Sequence, residues 1–184
     1  MASNSLIRIS RRAFGLQIAA LPIALGAAAD GAASGGDGLS HSAAAIHQEI
    51  GFKASRRRVY QALTTAGEFD AVTRLSDALS LLTAPGATPT TISSEAGGAF
   101  SLFGGYITGR NLELRPNERL VQAWRTASWI PGAYSIAQFA VLDDGAGSKL
   151  IFEHRGFPDA EGEHLASGWQ VHYWTPLAKF LAQA

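Results

Sequence analysis

The chain has 184 residues, 15 basic and 15 acidic side chains, no cysteine and 47% hydrophobic residues. That size suits one globular domain with a real core, and the apolar content excludes a chain that is disordered throughout. A net charge of zero argues against a cationic nucleic-acid binder, and the missing cysteines exclude disulfide frameworks, thiolate zinc sites, iron–sulfur clusters and cysteine nucleophiles.

The N-terminus differs in composition from the rest. Arg8, Arg11 and Arg12 are its only charges before Asp30, and the residues that follow them are apolar and end in the small run Ala27–Ala29. A basic start, an apolar middle and a small-residue end make up a secretory signal peptide. Ser10-Arg11-Arg12-Ala13-Phe14 further matches the twin-arginine form that exports folded proteins. The stretch is shorter and less apolar than the roughly 20 residues of a spanning helix. We therefore expect a signal over residues 1–29, removed after Ala29, and a periplasmic protein with no stable membrane span. Residues 30–45 are rich in Gly, Ser and Ala and aperiodic, which reads as a flexible linker. The folded domain is expected over 46–184.

Ile46, Gln48, Ile50 and Phe52 alternate as in a half-buried strand. Ser55 is a helix N-cap before Arg56–Thr64, with Val59, Tyr60 and Leu63 on one stripe, and a second short helix follows over 67–74. Residues 75–90 read as a surface or pocket-rim loop. From Thr91 the period becomes two, and strands are expected over 97–103, 105–114, 119–125, 134–142 and 149–154. They are joined at Gly104-Gly105, at Arg115-Pro-Asn-Glu118, by the Trp129-Ile-Pro-Gly132 loop and by a hairpin over Asp143–Gly147. Glu161–Ala184 reads as one long amphipathic helix interrupted by Pro176, which should kink it or remove a hydrogen bond. Strand, helices, antiparallel strands and a final helix make the fold class α+β.

Several segments taken together resemble a known family. Val59-Tyr-Gln-Ala-Leu63, Gly97-Gly-Ala-Phe100, Gly104-Gly-Tyr-Ile-Thr-Gly109, Leu120-Val-Gln-Ala-Trp-Arg125, His154-Arg-Gly-Phe-Pro158 and Gly168-Trp-Gln-Val-His-Tyr-Trp-Thr-Pro-Leu177 occur in an order similar to the AHSA-type branch of the START-like (SRPBCC) superfamily. The branch is named for homology to the activator of the heat-shock protein 90 ATPase. The resemblance covers residues 46–183 and implies a helix-grip fold, in which a curved antiparallel sheet wraps a long C-terminal helix and leaves a cavity between them. The aromatic content then exceeds what a core of this size packs tightly, so some rings are expected to line a pocket.

No nucleophile-elbow, zincin, phosphate-loop or dinucleotide motif is present, and Gly145-Ala-Gly-Ser-Lys149 lacks the spacing and context of a phosphate loop. No catalytic residue, metal or cofactor is assigned. His154, His164 and His172 are the only imidazoles near a cavity of this kind, and no ligand spacing joins them. Arg125 and Arg155 are expected in structural ion pairs with Glu113, Glu118 or Glu153, and Gly168 with Trp169 in close helix–sheet packing. The expected function is non-catalytic binding of a small apolar or amphipathic molecule, with polar contacts from Gln138, His154, His172 and Tyr173 and apolar ones from Trp129, Tyr134 and Trp169. A proton-transfer enzyme using His and Tyr in the same cavity is one alternative, and a co-chaperone-like partner module is another. Export would remove the chain from a cytosolic chaperone. Without residues 1–29 the chain carries twelve basic and fifteen acidic groups, which disfavours nucleic acid and anionic membranes.

Overall fold

A computed structural model describes residues 45–183 apart from Leu79, Leu81 and Leu82. The expected export signal, and the linker up to its last residue, lie outside the described residues. Ala45 already begins the first strand.

Strand β1 (Ala45–Phe52) is followed by helices α1 (Arg56–Thr64) and α2 (Ala66–Thr73). The short strands β2 (Thr91–Ile92) and β3 (Ala99–Leu102) lead to the long β4 (Ile107–Arg115), β5 (Arg119–Thr126), β6 (Ser135–Asp144) and β7 (Gly147–Arg155). Helix α3 (Gly162–Trp169), a π-helical turn (Gln170–Trp174) and α4 (Thr175–Leu181) close the chain. All seven strands form one antiparallel sheet in the order β1-β7-β6-β5-β4-β3-β2. A register shift between Asn111 and Glu113 bulges β4, and a bulge bends a strand and increases its twist. The sheet therefore curves around the C-terminal helix in the helix-grip arrangement.

The alternation read from the sequence fixes the faces. Ile46, Gln48, Ile50 and Phe52 of β1, Leu150, Phe152 and His154 of β7, and Ala137, Phe139 and Val141 of β6 all turn inward and are buried. Phe100 from β3 packs over Gly109 of β4, where a Cβ would lie 2.5 Å from the ring and meet the Ala123 carbonyl oxygen. Only glycine fits there. Ser55 caps α1 by accepting from the Arg58 amide, and the Arg58 guanidinium grips both oxygens of Glu68, joining α1 to α2.

The final helix is continuous in direction but not in winding. Pro176 lacks an N–H, so the chain places it in the first turn of α4, where that donor is not needed. The preceding turn widens so that the Thr175 amide reaches the Gln170 carbonyl. The hydrogen bond that proline would remove is thus absorbed by one π-helical turn, a feature found mostly as a single insertion within α-helices. Gln48 clips β1 to α3 and to this turn: its amide nitrogen donates to the Ala166 carbonyl at 3.0 Å, and its oxygen accepts from the Trp174 indole at 2.5 Å.

Candidate functional site

The helix and the inner face of β4 and β5 do not close fully on one another. Between them lies a cavity of about 350 Å³, walled by the rings of Phe103, Tyr106, Trp124, Trp169 and Tyr173. Ile107, Ala78 and Thr126 complete the wall from elsewhere, and His164, Leu165, Gly168 and His172 join Trp169 and Tyr173 from the helix. His164, Gly168 and His172 stand four apart, the spacing that keeps positions on one face.

Gly168 was expected to permit close packing of the helix on the sheet, and the structure gives it a different part. A Cβ at Gly168 would have nothing within 4 Å, so its missing side chain leaves volume in the cavity instead of relieving a clash. The π-helical turn acts at the same place. It carries His172 and Tyr173 to the cavity wall while Trp174, next in sequence, is buried in the core.

The polar atoms of this wall are unusual. The Trp124 indole nitrogen, the Tyr173 hydroxyl and His172 Nδ1 are all shielded from solvent and make no hydrogen bond. Trp124 lies beside the Tyr173 hydroxyl, yet the pair does not reach hydrogen-bonding geometry, and burial pushes the Tyr173 phenol well above its usual range. Buried polar groups are normally satisfied, and leaving one unmade costs about 1–3 kcal/mol. Having almost no accessible surface, these three atoms lie within the wall and do not open onto the cavity.

Behind this wall sits a second polar group that is fully satisfied. The Trp169 indole can only donate, and its N–H reaches His154 Nδ1 at 3.0 Å. Nδ1 is therefore the bare nitrogen. The proton is on Nε2, which donates to Ser135 Oγ at 2.6 Å, and the Ser135 hydroxyl passes on to the Trp124 carbonyl at 2.9 Å. Burial pushes the His154 pKa down to about 3. The ring is neutral at physiological pH, with both nitrogens committed to the protein interior.

The residues anticipated from sequence thus separate. Trp169, His172 and Tyr173 are together on the cavity wall. His154 lies one layer behind them, and Trp129 packs edge-on against Trp124 with centroids 5.5 Å apart. Gln138 falls on the opposite face of β6 from Phe139 and accepts from Arg119. Tyr134 is half-exposed beneath the Arg125 guanidinium, away from the cavity lining. Arg155 pairs with Glu153 as anticipated, whereas Arg125 donates to the Trp129 and Ile130 carbonyls, holding the loop that carries Trp129. Thr126 and Gly168 were not anticipated as site residues, and Tyr106 and Trp124 were anticipated only among the rings that could line a pocket. Their signals were present: Gln122, Trp124 and Thr126 continue the inward alternation of β5, and Gly168 is midway between His164 and His172. Among the described residues no cluster of three or more potential metal ligands occurs, and no helix is long and apolar enough to cross a membrane.

Comparison with known proteins follows the same geometry. The pattern of the family described as "Activator of Hsp90 ATPase homolog 1-like protein" matches residues 53–182. The human "Activator of 90 kDa heat shock protein ATPase homolog 1" is 31% identical over 86 residues, covering 47% of this chain and 25% of that protein. The Dictyostelium discoideum homologue is 36% identical over 81 residues, covering 44% and 21%. The chain's match spans about a quarter of the length of these curated relatives. Among solved structures, an HSP90 activator from Plasmodium falciparum superposes with a TM-score of 0.62 at 21% identity, covering 76% of this chain and 96% of that one. CalU16 from Micromonospora echinospora gives 0.59 at 19% identity, covering 76% and 77%. At such identities the superpositions establish a shared fold.

Proposed function

The chain belongs to the family of activator of Hsp90 ATPase homolog 1-like proteins, in the START-like superfamily, and from that premise we propose that it binds a small apolar or amphipathic molecule between sheet and helix. The observation that carries this reading is the aromatic cavity of about 350 Å³, within the ordinary size range of ligand sites. His172 supplies a polar contact in this reading, and Trp169 and Tyr173 supply apolar area. His154 acts indirectly, by holding Trp169 and Trp124 in place.

The test is native mass spectrometry of the purified chain beside Gly168→Leu. A leucine there grows into open space, and replacing a helical glycine removes a residue that costs about 1 kcal/mol in a helix interior. The variant should therefore fold, with a melting temperature no lower than the parent's. The parent is expected to carry a co-purifying small molecule, or to be stabilised by members of a lipid and metabolite panel, and the variant is not. A parent that is empty and unmoved by the whole panel defeats the proposal.

A second reading rests on the named relatives: two curated proteins described as activators of a heat-shock ATPase align with this chain above 30% identity. On that reading the domain meets a chaperone, and adding it to such an ATPase raises the rate of ATP hydrolysis equally with or without Gly168→Leu. Export separates the two. We place the chain in the periplasm on the strength of its Arg11-Arg12 signal, out of reach of a cytosolic ATPase. N-terminal sequencing of the protein from a periplasmic fraction is expected to start at Asp30. Protein retained in the cytosol with Met1 intact removes the export proposal and leaves the chaperone reading open.

A further inference from the structure

We propose that a second cleft, between α2 and the loop that leads to β2, binds the head group of a free amino acid, its carboxylate on Arg74 and its ammonium on Asp70. This cleft shares no lining residue with the sheet–helix cavity, so it stands apart from the binding reading above.

The cleft has a volume of about 530 Å³ and is lined by Asp70, Arg74, Thr83 and residues 87–90. Both of its walls are fixed. Phe69, Val72 and Thr73 of α2 are buried, which sets the face that Asp70 and Arg74 present. On the loop side, the Thr88 amide donates to the Gly104 carbonyl at 2.9 Å, and the Thr88 and Ser101 hydroxyls lie 3.4 Å apart. Gly105, at a φ of +94°, lets the turn come so near that a Cβ there would be 2.8 Å from Thr88 Oγ1. Pro89 restricts the backbone at the next position. The segment that reads as a pocket rim in the sequence is thus tied to the sheet.

The ligand class comes from the charges. Asp70 and Arg74 stand four apart on one helix, a spacing at which an acid and a base normally pair. Here neither side chain forms an ion pair or a hydrogen bond among the described residues. Arg58 of the preceding helix does pair, holding both oxygens of Glu68 at 2.9 and 2.7 Å. Arg74 is exposed and Asp70 only half-buried, so both charges are open to a solute. A simple anion drawn to Arg74 meets the Asp70 carboxylate, and a simple cation drawn to Asp70 meets the guanidinium. A solute that carries an ammonium and a carboxylate a few atoms apart satisfies both groups. The guanidinium fork matches a carboxylate, and an ionised aspartate accepts from an ammonium. Thr88, also exposed, adds a hydroxyl, and Ala87 and Pro89 offer a small apolar surface to an aliphatic side chain.

Titration of the isotope-labelled full chain at pH 7, followed by its amide NMR shifts, tests this with three related probes. They are L-leucine, 4-methylpentanoate, which lacks the ammonium, and 3-methylbutylamine, which lacks the carboxylate. Leucine is expected to give saturable shifts centred on Asp70, Arg74, Ala87 and Thr88. It should bind about fivefold more tightly than either relative, the most that a solvent-exposed ion pair usually contributes. Asp70→Asn is expected to remove the preference for leucine over 4-methylpentanoate, and Arg74→Gln the preference over 3-methylbutylamine. Leucine bound no more tightly than 4-methylpentanoate makes the cleft a simple anion site and overturns the proposal, and parity with the amine overturns it likewise. Shifts centred on Trp169 and Tyr173 place leucine in the sheet–helix cavity and overturn it too. The absence of saturable shifts overturns the proposal and leaves the binding reading where it stands. The comparison of probes on the unaltered chain decides the matter even if a variant folds poorly.

Discussion

Trp169→Ala is expected to leave the domain without a cooperative urea transition and without its near-ultraviolet circular dichroism. Trp169 is 2% exposed and lies at the centre of the aromatic layer, with its ring 4.3 Å from Phe152, 4.2 Å from Tyr173 and stacked on Trp174 at 5.6 Å. Truncating a buried tryptophan to alanine costs about 3–5 kcal/mol through lost contacts and the cavity left behind. Here a further penalty applies. The indole N–H is the donor to His154 Nδ1, and the orphaned nitrogen adds about 1–3 kcal/mol. Together these approach or exceed the lower half of the usual 5–15 kcal/mol stability of a domain. Trp169→Phe separates the two contributions, since it keeps most of the ring and removes only the donor. It should remain folded with a lowered urea midpoint and an unchanged slope. A Trp169→Ala protein that melts within a few degrees of the parent would show that the layer repacks, and that Trp169 is not the element on which both helix and cavity wall depend.

The position of Trp169 also marks how far the sequence could be read. Strand faces were legible because burial on one side forces a period of two: Phe152 and His154 had to share a face, and so did Phe139 with Val141. The same rule places Gln138 and Tyr134 on the opposite side from Phe139. Gln138 was anticipated as a polar contact and Tyr134 as an apolar one, with side-chain chemistry weighed ahead of parity. Helical spacing made the inward stripe of the last helix visible through Leu165, Trp169 and Leu177. It could not reveal the π-helical turn, because the shift depends on how the chain accommodates Pro176 against β1 through Gln48 and Trp174. The partners of His154 were also beyond local reading. Ser135 is 19 residues away and Trp169 is on another element, and only the antiparallel pairing of β6 with β7, which sets Ala137 opposite His154, brings the serine near.

Two histidines with the same side chain therefore come to have different uses. His172 is a residue of the cavity wall, and His154 is locked one layer behind it with both nitrogens bonded. An imidazole that is buried, neutral and bonded at both nitrogens orients its neighbours: it fixes the Trp169 ring through one nitrogen and, through Ser135, the strand carrying Trp124. The two tryptophans that face the cavity are thus tied to a single group. Cavity shape should follow the protonation of His154 even though His154 never touches what the cavity holds.

That coupling gives acid a defined effect. The His154 pKa is about 3 in the folded chain against an ordinary 6.5, so between these values the unfolded state binds a proton that the folded state refuses. Stability is complete above pH 6.5 as far as this group is concerned and falls by about 1.4 kcal/mol for each pH unit below it. The loss levels off near pH 3, where both states are protonated, and amounts in all to about 4–5 kcal/mol. The geometry gives the same direction as burial, because a proton on Nδ1 would face the Trp169 N–H. Urea midpoints measured from pH 7.5 to 4 for the parent and His154→Gln check the sign and the source. Glutamine is an uncharged replacement whose amide has both a donor and an acceptor, and it does not titrate. Its protein is expected to be less stable than the parent at pH 7.5 and to close much of that gap by pH 4. The exposed Glu49 carboxyl, held low by His47 and Lys149, weakens both proteins equally as it protonates and cancels in the comparison. Parallel pH curves for the two proteins would mean that acid acts elsewhere and that His154 is not the titrating group.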